Sequence, residues 1–84
     1  MNKYLVTIIV PTLEMNFEMY IPNNKKVGTI KTYISKSINE LTSGQYNKDT
    51  SSIMLIDRVS GKEYLNNLYI KDTEIKNGTK LIFM

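Results

Sequence analysis

"FEMYIPNNKKVGTIKTYI", residues 17 to 34, changes its period at Pro22, and that change decides the fold. Up to Ile21 the chain alternates, with Met15, Phe17, Met19 and Ile21 on one side and Glu14, Asn16, Glu18 and Tyr20 on the other. Successive side chains of a strand point to opposite faces, so this pattern describes a half-buried antiparallel strand. Beyond Pro22, Val27, Ile30, Ile34, Ile38 and Leu41 recur at spacings of three and four, the apolar stripe of a helix. Asn23 or Asn24 is expected to cap its start and Gly44 to mark its end. Lys25, Thr32, Lys36 and Glu40 are expected to face water. Gly28, in the first turn, weakens the helix by about 1 kcal/mol relative to Ala.

Working outward, Tyr4 to Val10 is a β-branched and aromatic run that reads as a strand, and Pro11-Thr12 breaks it. The two strands make a hairpin. After the helix, Ser43–Ser52 reads as a polar loop and "SIMLID" (52 to 57) as a short strand. A turn at Ser60-Gly61 leads to a brief strand around Tyr64 and Leu65. Ile70, a turn at Asp72-Thr73, Ile75 and a turn at Asn77-Gly78 then precede the last strand. No repeat or linker divides the chain, so residues 1–84 are expected to form one domain. The order of elements predicts an α+β fold of the β-grasp type. It has a mixed four- to five-stranded sheet with one helix packed across one face.

Composition narrows the function. The sequence has no Cys and no His, which removes the thiolate nucleophile, the usual general base and the commonest metal ligand. Asp49, Asp57, Glu63, Asp72 and Glu74 show no metal-ligand spacing. Neither an enzyme nor a cofactor is expected. No apolar run reaches the roughly 18–20 residues that span a bilayer. "MNKYLVTIIVP" lacks a small-residue cleavage site and reads as a cytosolic strand.

The net charge of +3 comes from ten Lys and one Arg. Arg58 alone is a poor endowment for reading phosphate or base edges, and Tyr20, Tyr33, Tyr46, Tyr64 and Tyr69 fall on different elements. Nucleic acid is therefore disfavoured, and the mild basicity reads as a bias of Lys-, Asn- and Ile-rich composition. Lys25-Lys26 is too short for a membrane patch and sits at the wrong helix end for the dipole, a hint of an acidic partner.

The pattern Ile70-x-Asp72-x-x-Ile75-x-x-Gly78-x-x-Leu81-x-Phe83 resembles the closing segment of ubiquitin-like proteins. Taken with the Asn77-Gly78 turn and the strand-Pro-helix passage of residues 17 to 34, it is similar to the YukD/EsaB family. These are small ubiquitin-like proteins of Gram-positive type VII secretion loci. The resemblance covers nearly the whole chain and rests on core and turn positions. It implies a cytosolic accessory or regulator of a membrane machine that exports small helical proteins, with membrane components of that machine as partners. It carries over no catalytic residue. Ubiquitin and the sulfur carriers of this fold react through a Gly-Gly tail. Here Leu81–Met84 reads as the strand itself and no Gly follows Gly78, so conjugation and sulfur carriage are not expected.

What remains is surface. If Val6, Ile8, Val10, Ile53, Leu55, Leu81 and Phe83 face the helix, then Leu5, Ile9, Met54, Ile56, Ile82 and Met84 must face away. An apolar face of that size on a small domain is the expected protein-binding site, as it is in ubiquitin. Cover by the Ser43–Ser52 loop and a homodimer are the competing readings of the same residues. A nucleic-acid- or ribosome-associated β-grasp module is the alternative from another class.

Overall fold

The computed structural model describes residues 2–84. Strand β1 (Lys3–Val10) and strand β2 (Met15–Pro22) form an antiparallel hairpin in which Val10 pairs with Met15 and Lys3 with Pro22. A single 3-10 turn at Pro11–Leu13 joins them, and Glu14 reverses the chain at a φ of 52°. Helix α1 spans Val27–Leu41. Two short strands complete the sheet, β3 (Leu55–Asp57) and β4 (Lys80–Phe83). The order across the sheet is β2-β1-β4-β3, with β4 parallel to β1 and antiparallel to β3.

The sheet has four strands among the described residues. The brief strand expected around Tyr64 and Leu65 is reduced to one bridge between Ile56 and Glu63. Gly61, at a φ of 75°, turns the chain back, and only Lys62–Tyr64 run along β3 before the chain turns again. Leu68 N–H donates to Leu65 O at 3.2 Å, and the carbonyls of Asn66 and Leu68 are engaged by α1. Asp57 N–H donates to Lys62 O at 2.8 Å and Tyr64 N–H to Leu55 O at 2.9 Å.

The core lies between the sheet and α1. Val6, Ile8, Val10, Ile21, Leu55, Leu81 and Phe83 meet Val27, Ile30, Ile34 and Ile38, and Ile53, Ile70 and Ile75 close the ends. Along β2 burial fades toward the hairpin tip: Ile21 is enclosed, Phe17 and Met19 are half-buried against the core, and Met15 is exposed.

Three expectations about the helix need correction. Leu41 is 64% exposed, while Lys31 and Ser35 are buried in its stead, so the stripe leans toward the 31/35 side. The start is not capped by the side chain of Asn23 or Asn24. The capping position is Lys26, and the first free donors are met by main chain instead. Val27 N–H donates to Leu68 O at 2.8 Å and Gly28 N–H to Asn66 O at 3.1 Å. Lys25 consequently lies before the helix rather than on its wet face. The end follows the expected glycine chemistry, but the left-handed turn begins one residue before Gly44. Ser43 is the first left-handed residue, and Ser43 and Gly44 N–H close onto Glu40 O and Asn39 O, the paired bonds of a Schellman motif.

The Ser43–Ser52 loop holds a residue that its polar composition hides. Tyr46 is only 4% exposed, its ring centroid 6.2 Å from that of Phe83, and its N–H donates to Asn39 Oδ1 at 3.1 Å. The loop thus lies along α1, where residues from Thr32 to Asn39 and Tyr46 to Thr50 border an open groove of about 500 Å³. It leaves the other face of the sheet uncovered.

Candidate functional site on the outer sheet face

Strand register places each of the six expected residues. Ile9 pairs with Ile82 and Ile82 with Ile56, so three isoleucines cross β1, β4 and β3 in one row. All three are half-buried, as neighbours that shield one another should be. One step along, Met84 and Met54 exchange main-chain hydrogen bonds of 2.7 and 3.2 Å. Each lies two residues from an isoleucine of the row and so shares its face. Met54 is 40% and Met84 51% exposed. These five side chains form one patch.

Leu5 is not part of it. It lies four residues from Ile9, about 13 Å along the strand. The row between them, Glu18, Thr7 and Lys80, is polar. Leu5 instead pairs with Tyr20, and the two form a small separate spot at the far end of the sheet. Alternation alone assigns Leu5 to the correct face but cannot see the polar row between it and Ile9, which appears only when the strands are in register.

The aromatic residues separate in the same way. Tyr46 and Tyr64 belong to the core, and burial raises the phenol pKa of both, with the charges of Asp57 and Glu74 adding to the effect at Tyr64. Tyr20, Tyr33 and Tyr69 are exposed, but on β2, on α1 and ahead of the 3-10 turn at Ile70–Asp72. They do not form a stacking platform.

Several acids are bound into local structure. Asp49 accepts the N–H of Ser51 and Asp57 the hydroxyl of Ser60, and each carboxyl is held below its ordinary pKa by that hydrogen bond. Glu74 accepts both of its bonds from Lys62 Nζ, at 2.8 and 3.2 Å, with the same consequence. No helix among the described residues is long and apolar enough to cross a membrane.

The helix laid over a mixed sheet, with parallel central strands, is the β-grasp, or ubiquitin-like, fold. Solved structures agree. The N-terminal ubiquitin-like domain of the 4931431F19Rik protein superposes with a TM-score of 0.77 at 18% identity, over 99% of this chain and 74% of that one. The ubiquitin-like domain of the Arabidopsis thaliana protein At2g32350 does so with a TM-score of 0.75 at 16% identity, over all of this chain and 78% of that one. At such identities the likeness defines the fold alone. No protein-family model matches the sequence, and no curated protein does.

Proposed function

We propose that the chain is a ubiquitin-like binding module that docks a protein partner on the outer sheet face, with Ile82 at the centre of the site. The observation that carries this reading is the row Ile9, Ile82 and Ile56, flanked by Met54 and Met84 and left uncovered by the long loop. Three strands present apolar side chains there side by side, and two flexible thioethers at the margin suit an adaptable contact. Nothing in this reading needs a reactive tail.

The setting is inferred from the resemblance of residues 17 to 34 and 70 to 83 to the YukD/EsaB pattern. On that basis the module is a cytosolic accessory of a type VII secretion machine in a Gram-positive bacterium, and its partner a membrane component of that machine. The support is that the quoted positions do in this fold what the pattern asks of them. Ile70, Ile75, Leu81 and Phe83 are core, and Gly78 turns at a φ of 88°.

The experiment is an affinity capture from lysate of the source organism with wild type and Ile56→Asp side by side. Recovery of secretion-machine membrane components by wild type alone supports both the setting and the face. Equal recovery by both proteins moves the site off this face. A wild type that retains only copies of itself, with the dimer abolished by Ile56→Asp, replaces the adaptor by a homodimer.

A further inference from the structure

The net charge of this protein is carried by two of its segments. Residues 22–31 and 66–73 carry Lys25, Lys26, Lys31 and Lys71 against one acid, Asp72. Outside them seven basic and seven acidic residues balance, so the whole +3 of the sequence resides in these two segments. A lysine-rich composition spreads charge along a chain. Here three of the four lysines, Lys25, Lys26 and Lys71, are exposed, while Lys31 is buried on α1.

Main-chain bonds tie the two segments together. Lys26 forms a β-bridge with Tyr69, Ile70 N–H donates to Lys25 O at 2.9 Å, and Lys71 N–H donates to Asn23 O at 2.9 Å. As a result Lys26 Nζ and Lys71 Nζ lie 5.7 and 5.9 Å from the centroid of one ring, Tyr69, which is itself exposed. The ring attracts each ammonium but neutralises neither. Lys62 is the one lysine in a salt bridge among the described residues, and Lys25, Lys26 and Lys71 have none. The positive end of the α1 dipole adds to the same field. Three exposed ammonium groups thus stand on segments joined by main chain, with Asp72 the one acid among them and no ion pair to any of the three, a net positive surface that an anionic partner would complement.

We propose that Lys26 and Lys71, which share the Tyr69 ring, together with the exposed Lys25 next to Lys26 in the chain, dock an acidic, Asp- and Glu-rich segment of a partner protein. The chemistry favours carboxylates over the other polyanions. Compact ammonium groups lack the fork with which Arg grips phosphate, and one exposed ring offers a nucleic-acid strand a single stacking position. Three exposed lysines also fall short of the four to eight basic residues by which anionic lipid is typically held. The site is separate from the outer sheet face and stands or falls independently of it.

The test is the fluorescence anisotropy of a labelled decaglutamate peptide titrated with the whole protein, at low salt and again at about 0.3 M. Wild type is expected to bind saturably and to lose several-fold in affinity with salt. Lys26→Glu/Lys71→Glu should lose more than about tenfold. Lys36→Glu/Lys48→Glu, which carries the same net charge, should keep its affinity, and so should Ile56→Asp. If the glutamate variant does not fold, Lys26→Ala/Lys71→Ala takes its place, and its thermal melt verifies the fold. Absence of wild-type binding overturns the proposal. So does an equal loss in both charge-reversed pairs, or tighter binding to a single-stranded oligonucleotide or to phosphatidylserine vesicles than to the peptide.

Discussion

Asn77 completes the hydrogen bonding of Leu5, a residue 72 positions away: its Oδ1 accepts Leu5 N–H at 2.8 Å, while Gly78 N–H donates to Leu5 O at 2.8 Å. Both main-chain groups of Leu5 point to the same side of β1, and β4 begins only at Lys80, opposite Thr7. A turn side chain therefore stands in for the missing strand residue. Asn77→Ala should lower the unfolding free energy by about 1 kcal/mol, and Asn77→Asp, which keeps the acceptor, by less. Gly78→Ala should cost about 1–2 kcal/mol because its φ of 88° is left-handed. Urea unfolding of the three variants measures these losses. An Asn77→Ala protein as stable as wild type would mean that the bond adds nothing.

The converse exchange occurs at the start of α1, where main chain replaces an expected side chain. A Cβ built on Gly28 meets Asn66 Cβ at 3.4 Å and Asn66 O at 3.5 Å, which is ordinary contact. Gly28→Ala should then raise stability by up to about 1 kcal/mol through helix propensity, whereas Gly28→Leu should push the 66–68 segment away and destabilise. Asn24→Ala should stay within about 0.5 kcal/mol of wild type. A thermal-shift series settles the three. A clear loss in Asn24→Ala would restore the side-chain cap.

These two junctions show why the sequence is legible in some places and opaque in others. Period and turn residues gave the hairpin, the helix, the final strand and the split of β1, β3 and β4 into two faces, because each depends on neighbours within a few positions. The helix start is not legible because its partners, Asn66 and Leu68, lie some forty residues downstream. The burial of Tyr46 is hidden because it sits among polar turn-formers, and only the tertiary fold brings Phe83 to it. The outer face was legible by alternation, but its division into a five-residue patch and an isolated Leu5 depends on register. The basic site could be suspected at Lys25-Lys26, yet Lys71 and Tyr69 join it only through long-range bonds.

Stability should form a broad plateau in pH. Asp49, Asp57 and Glu74 have carboxyl pKa values lowered in the fold, so what they contribute is present above the ordinary carboxylate range and fades as pH falls through their folded values. Tyr46 and Tyr64 have phenol pKa values raised, so their contribution is complete below the ordinary tyrosine value of 10.0 and is lost as pH climbs through the folded values. With no His in the sequence, no side chain with an ordinary pKa near neutrality titrates between. Melting temperature should therefore vary little from about pH 5 to about pH 9 and fall on either side. A step near pH 6.5 would contradict this account.

Lys31 gives the last test, and its sign is the informative part. The side chain is 4% exposed and lies on the core side of α1, yet among the described residues it makes no hydrogen bond and no ion pair. No buried polar atom there lacks a partner, so the ammonium must reach water at the rim while its stem is enclosed. Holding it so sacrifices rotamer freedom and part of its hydration without a counter-charge in return. Lys31→Met keeps the stem's volume and removes the charge, and should raise the unfolding free energy by about 1 kcal/mol. Lys31→Ala should lower it by a similar amount, since the cavity then outweighs the relief. If Lys31→Met is instead destabilised, the ammonium has a favourable interaction within the domain that the static geometry does not display. If Met stabilises and Ala destabilises, it is the stem of Lys31 that serves the fold, and its charge is a burden on it.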